Sequence, residues 1–182
     1  MQNSLAKKTI TIFGSSKPKD GEDEYKIAYE LGLLLGEGNF NVCTGGYFGI
    51  MEAVSKGAVE KGGDAIGVTV VSWEQKGNTF LTSEIKCGSL FERLNKLIEL
   101  GDAYIILQGG TGTLLELAAV WELANKGAMD HKPIACHSSI WQGIISIMNI
   151  QMQKEGRSTE LVRAFENPEE IITYLLEHLG NS

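Results

Sequence analysis

Short apolar runs alternate along the whole chain with longer helix-patterned stretches, and this alternation limits the folds open to it. The runs Thr9–Phe13, Asn39–Cys43, Ala65–Val70, Glu84–Cys87, Ala103–Leu107 and Ile134–Cys136 read as strands, with Leu161–Phe165 a weaker one. Helical patterns cover Glu22–Gly36, Gly49–Lys61, Leu90–Leu100, Leu114–Lys126, Ile140–Lys154 and Pro168–Leu179. Strands without a polar face must be buried on both sides. The expectation is therefore an α/β fold, a parallel sheet with helices on both faces. Its 182 residues suffice for one substantial core, so residues 1–182 are expected to form a single doubly wound domain.

Local signals agree with these boundaries. Ser89 with Glu92, Thr113 with Glu116, and Ser139 with Gln142 each fit the capping-box spacing. Asn167-Pro168-Glu169-Glu170 supplies an N-cap, a first-turn proline and two acids suited to the positive helix end. Gly36 and Gly38 are placed to end the first helix, and Gly62-Gly63 the second.

Three strand ends carry glycine turns: Gly14-Ser15-Ser16, Thr44-Gly45-Gly46, and Gly109-Gly110-Thr111-Gly112-Thr113. In a Rossmann-like sheet the carboxyl ends of the strands near the topological switch point form the ligand crevice, so all three turns can line one site. The last turn leads into a helix, where a row of backbone amides at the positive helix end suits a phosphate. Glu116 adds a carboxylate just beyond it. Neither GxxxxGK[ST] nor GxGxxG occurs at a strand end, so a P-loop and an ordinary NAD site are disfavoured.

Composition narrows the partners. Net charge is −7, with 16 basic against 23 acidic residues and no basic block, which disfavours an extended nucleic-acid ligand. Cys43, Cys87 and Cys136 lie far apart in or beside apolar runs, without metal-ligand spacing, and read as buried reduced thiols. No apolar stretch has the length of a membrane span and Met1–Lys8 lacks a secretion signal, so a cytoplasmic protein is expected. His131, His137 and His178 share no useful spacing and read as ordinary surface or loop residues.

Two residues admit competing roles. Glu116 either completes a capping box with Thr113 or stands as a desolvated acid at an anion site. The second role gains weight from its surroundings, because Leu114, Leu115, Leu117, Ala118, Val120, Trp121, Leu123 and Ala124 make this helix apolar nearly all round. Such a helix should be covered on both sides, and a homodimer packed through residues 114–126 is expected. Arg93 either forms a surface pair with Glu92 or grips an anionic group. Glu52 reads as a surface acid matched to its helix dipole.

Together these residues resemble the LOG (lonely guy) family, often labelled lysine decarboxylase-like. Its PGGxGTxxE signature matches Gly109, Gly110, Gly112, Thr113 and Glu116, with Gln108 in place of proline. Arg93 matches a family arginine nine residues before Asp102-Ala103, and Gly14-Ser15-Ser16 and Gly45-Gly46 through Met51 match the family's other turns. The resemblance spans roughly residues 9 to 136. The family's Met-His-x-Arg-Lys stretch is replaced here by Leu90-Phe91-Glu92-Arg93-Leu94.

The resemblance implies hydrolysis of a nucleoside 5′-monophosphate to free base and ribose 5-phosphate, without metal or organic cofactor. Glu116 and Arg93 would be catalytic. Gly14, Ser15, Gly45, Gly46, Gly109, Gly110, Thr111, Gly112 and Thr113 would bind substrate and phosphate. Related proteins on the same fold, a molybdenum-cofactor carrier and the DNA-processing DprA group, imply an alternative: a nucleotide or molybdenum-cofactor binding protein without turnover. The decarboxylase label does not fit, because no lysine has the setting of a pyridoxal-phosphate Schiff base.

Overall fold

The computed structural model describes residues 7–180. Its seven strands are β1 (Thr9–Phe13), β2 (Asn41–Thr44), β3 (Ala65–Val70), β4 (Ser83–Cys87), β5 (Ala103–Ile106), β6 (Ile134–His137) and β7 (Arg163–Phe165). The helices are α1 (Asp23–Glu37), α2 (Ile50–Glu60), α3 (Leu90–Leu100), α4 (Thr111–Asn125), α5 (Ser139–Lys154) and α6 (Pro168–Leu179). All strand pairs are parallel, in the order β4-β3-β2-β1-β5-β6-β7. The expected α/β architecture is the observed one.

Alternation along the central strands divides the core. On β1, Ile10 and Ile12 face α1, α2 and α6, where Leu31, Leu35, Val54, Ala58 and Leu175 are buried. Phe13 of β1, with Tyr104 and Ile106 of β5, faces α3, α4 and α5, where Leu97, Leu117, Val120 and Trp141 are buried. Each central strand is thus covered on both sides, which explains its continuous apolar run.

Chain order runs outward from β1 to β4 on one side, then resumes at β5 on the other. The switch point lies between β1 and β5, and their register pairs Phe13 with Ile106, so the turns leaving them are level. Ser15 N donates to Gln108 O at 2.9 Å and Ile50 N donates to Ser15 O at 2.9 Å, which ties all three glycine turns into one rim.

The capping signals fared unevenly. Ser89 Oγ accepts from Glu92 N and Glu92 Oε2 accepts from Gly88 N, so this cap is as expected. Asn167 caps α6 through Glu170 N. The Ser139 cap is not formed: Ser138 occupies the N-cap position of α5 and makes no side-chain capping bond. β2 starts two residues later than expected, because Asn39 adopts a left-handed conformation (φ 63°) that closes the turn after α1. Among the described residues no helix is long and apolar enough to cross a membrane.

Candidate active site

α4 begins at Thr111, three residues before the start expected from its apolar pattern, with Gly110 as N-cap. Glycine and threonine are weak helix formers, and tertiary placement overrides that preference here. Thr113 is consequently the third helical residue, not the cap. Its side chain is buried and packs on Gly109, where an added Cβ would collide with it. No side chain caps α4, which leaves the amides of Thr111, Gly112 and Thr113 without intrahelical acceptors. Three backbone donors and a positive helix end face the rim: a ready site for an anion.

Glu116 does not close a capping box. Its Oε1 lies 3.4 Å from Arg93 Nη1. Arg93 is only 6% exposed, and its Nε donates to Val68 O at 2.7 Å. The surface pairing of Arg93 with Glu92 is therefore excluded, since Glu92 is engaged at its own helix cap. Burial pushes the Glu116 carboxyl up to about 7, and the Arg93 guanidinium pulls against that rise. Near neutral pH this acid is poised between its two protonation states, as suits a proton-handling or charge-stabilising group.

Gly45 shows why a glycine is needed at the second turn. A Cβ there would overlap the Arg93 guanidinium and crowd Met51 Sδ. Gly49 is held at φ 67° with the backbone of Ser15 and Ser16 against it, so a side chain there would be both strained and blocked.

These parts share one cavity of about 390 Å³, within the range for small-ligand sites. It is bounded by Gly14, Ser15, Gly45, Arg93, Gly110, Thr111, Gly112, Thr113 and Glu116 from the set expected. Two expected residues stand behind it. Gly46 N donates to Thr44 Oγ1 and its carbonyl accepts from Asn78, while Gly109 borders an adjoining depression beside Gln108. Lys17, Tyr47, Trp73 and Gln75 also line the cavity and were missed. The Gly14-Ser15-Ser16-Lys17 turn carried a signal for Lys17; the segment bearing Trp73 and Gln75 has no periodicity to read. Glu52 lies outside this cavity, and burial raises its carboxyl from the ordinary range. All three cysteines are buried and free, and no group of three or more metal-ligating side chains occurs among the described residues.

With that geometry in view, comparison with known proteins is decisive at the level of family. Residues 7–172 match the SLOG cluster4 family. The chain belongs to this family. A relative of unassigned function from Archaeoglobus fulgidus is 28% identical over 155 residues, covering 85% of this chain and 87% of that one. The cytokinin riboside 5′-monophosphate phosphoribohydrolase of Rhodococcoides fascians is 28% identical over 130 residues, 69% of this chain. This SLOG chain spans 65% of the length of that enzyme, just under two thirds. Among solved structures, the molybdenum cofactor binding protein of Rippkaea orientalis superposes with a TM-score of 0.75 at 25% identity, covering 97% of this chain and 99% of that one.

Proposed function

We propose that this SLOG protein hydrolyses the N-glycosidic bond of a nucleoside 5′-monophosphate. One observation carries the proposal: the buried Arg93–Glu116 pair opens into the same cavity as the uncapped amide row of α4. The amides of residues 111–113, with Lys17, hold the 5′-phosphate at the helix end. Glu116, about one helical turn further on, then faces the ribose.

Breaking the bond between C1′ and the base nitrogen sends its electron pair to the base and leaves positive charge on the sugar. The Glu116 carboxylate stabilises that charge and accepts a proton as water bonds to C1′, while the departing base nitrogen takes a proton from solvent, to which Glu116 afterwards releases its own. Arg93 fixes the carboxylate's position and favours its ionised form. The products are free base and ribose 5-phosphate. The name of the Rhodococcoides fascians relative points to the same chemistry.

The exposed side of α4 is covered, on this account, by a second copy of the chain. α4 buries Leu117, Val120 and Trp121, while Leu114 and Leu115 on its other side remain 40% and 37% exposed. Among the described residues nothing covers that side, the arrangement from which the dimer was expected. Ile147 and Ile150 of α5 are exposed on the same layer. A homodimer through these helices removes this apolar surface from water.

A second reading has its own support. The likeness to the Rippkaea orientalis protein extends over nearly the whole of both chains, and a binding protein would hold a nucleotide or pterin-type ligand without turnover. Incubating the purified protein with AMP, GMP, CMP and a cytokinin ribotide separates the two. Hydrolysis predicts free base and ribose 5-phosphate in equal amounts; tight binding across the panel with no base release supports the carrier.

A further inference from the structure

A buried guanidinium needs its surroundings to replace the water it has lost. Arg93 finds little of this in hydrogen bonds. Its Nε donates to Val68 O, but Nη1 reaches Glu116 only at 3.4 Å, long for a charge-assisted contact. Among the described residues Glu116 is its single ion-pair partner. The rest of its setting is aromatic. The guanidinium carbon lies over two rings, 5.8 Å from the centre of Tyr47 and 5.6 Å from that of Trp73, within cation–π reach. The two ring centres are themselves 5.8 Å apart, so the three form a nearly equilateral triangle.

This aromatic corner is itself held in place. Tyr47 is buried, its hydroxyl accepting from Val70 N at 2.9 Å. Trp73 ends the short 3-10 turn Val71–Trp73, which opens the helix-free connection between β3 and β4. In the same connection buried Asn78 donates to the carbonyls of Gly46 and Tyr47 at 3.2 and 2.8 Å, tying the two rings' segments together. Gly45 closes another side, since a Cβ there would overlap Nη2. Trp73 remains 44% exposed, so it stands between the ion and open water. We propose that Trp73 is a positioning residue: its indole, with Tyr47 beside it, holds the Arg93 guanidinium at Glu116 and keeps water from it. Without the indole the guanidinium gains both room and solvent, and each weakens its pull on the acid. The consequence for turnover rests on the hydrolase reading above; the hold on the pair does not.

Titration of Glu116 in the ligand-free protein tests it, followed by carbon NMR of labelled glutamate carboxyls and assigned by the signal lost in Glu116→Gln. The ionisable neighbours do not obscure it. Burial raises the thiols of Cys43 and Cys87, which stay neutral near pH 7. Glu92 and Lys96 of α3 are engaged at Gly88 and Glu99, and Lys17 is the other cation lining the cavity. The wild-type midpoint should fall at about 7. Trp73→Leu keeps an apolar group without a π face and should raise that midpoint by about half a unit or more, whereas Trp73→Phe should hold it within about 0.2 unit. Hydrogen exchange at Arg93 Nε should quicken about tenfold in Trp73→Leu and not in Trp73→Phe. An unmoved midpoint in Trp73→Leu, or one that moves as far in Trp73→Phe, would overturn the proposal. A moved midpoint with unchanged exchange would trace the shift to the acid's own hydration and would overturn it too. The acid limb of AMP hydrolysis should follow the midpoint from variant to variant. No base release from any of these proteins, with the midpoint and exchange moved as expected, removes the hydrolase reading alone.

Discussion

Glu116 and Arg93 depend on each other in a way neither position reveals by itself. Desolvation raises the acid, the guanidinium opposes the rise, and the carboxyl rests near 7 instead of its ordinary 4.5. Catalysis by the carboxylate therefore predicts a kcat/KM that climbs as pH passes through about 7 and levels above it. Stability moves the other way. A carboxyl raised in the folded state contributes stability that is present in full below its unfolded value and is lost as pH rises through its folded value. The thermal midpoint of Glu116→Gln minus that of the wild type should accordingly grow between pH 5 and pH 8, a difference scanning calorimetry reads directly. Arg93→Ala removes the partner of a buried acid and should cost about 3–5 kcal/mol of stability as well as activity. Gly45→Ala should mimic part of that loss by displacing the guanidinium, read as a lowered kcat with a modest drop in thermal midpoint. The sequence left each of the two charged residues with two roles because their contact spans 23 residues and three elements; no local spacing encodes it.

At the scale of elements, the uncapped start of α4 is the feature on which the proposed phosphate binding turns. Gly112 is exposed with open space where a side chain would point. Gly112→Asp should therefore fold normally, and its carboxylate should even favour the helix end. That same charge should repel a phosphate and raise KM about tenfold or more, while kcat changes less. Strands and helices were legible in the apolar periodicity, since each central strand is buried on both faces. The start of α4 was not, because glycines and threonines carry loop propensity and only their place above the sheet makes them helical. The Val71–Thr82 connection was illegible for a different reason. Its position depends on Asn78 reaching Gly46 and Tyr47, a contact between turns far apart in the chain.

The whole molecule sets the site by topology: strand order reverses between β1 and β5, and the level ends of those strands bring three turns to one rim. That much followed from alternation of elements and the position of the glycines. The second copy proposed to cover α4 belongs to this scale too. Leu114 lies outside the cavity and is partly exposed in the single chain, so Leu114→Glu should leave the fold intact and convert a dimer to a monomer in light scattering. The central claim, that the acid beside the amide row cleaves nucleotides, is met most directly by timed release of adenine from AMP by wild type and Glu116→Gln, with AMP binding measured in parallel. The account predicts adenine and ribose 5-phosphate from the wild type, and a rate about 100-fold or more lower from the variant at undiminished AMP binding. Equal rates from the two proteins, or no adenine from either, would contradict it.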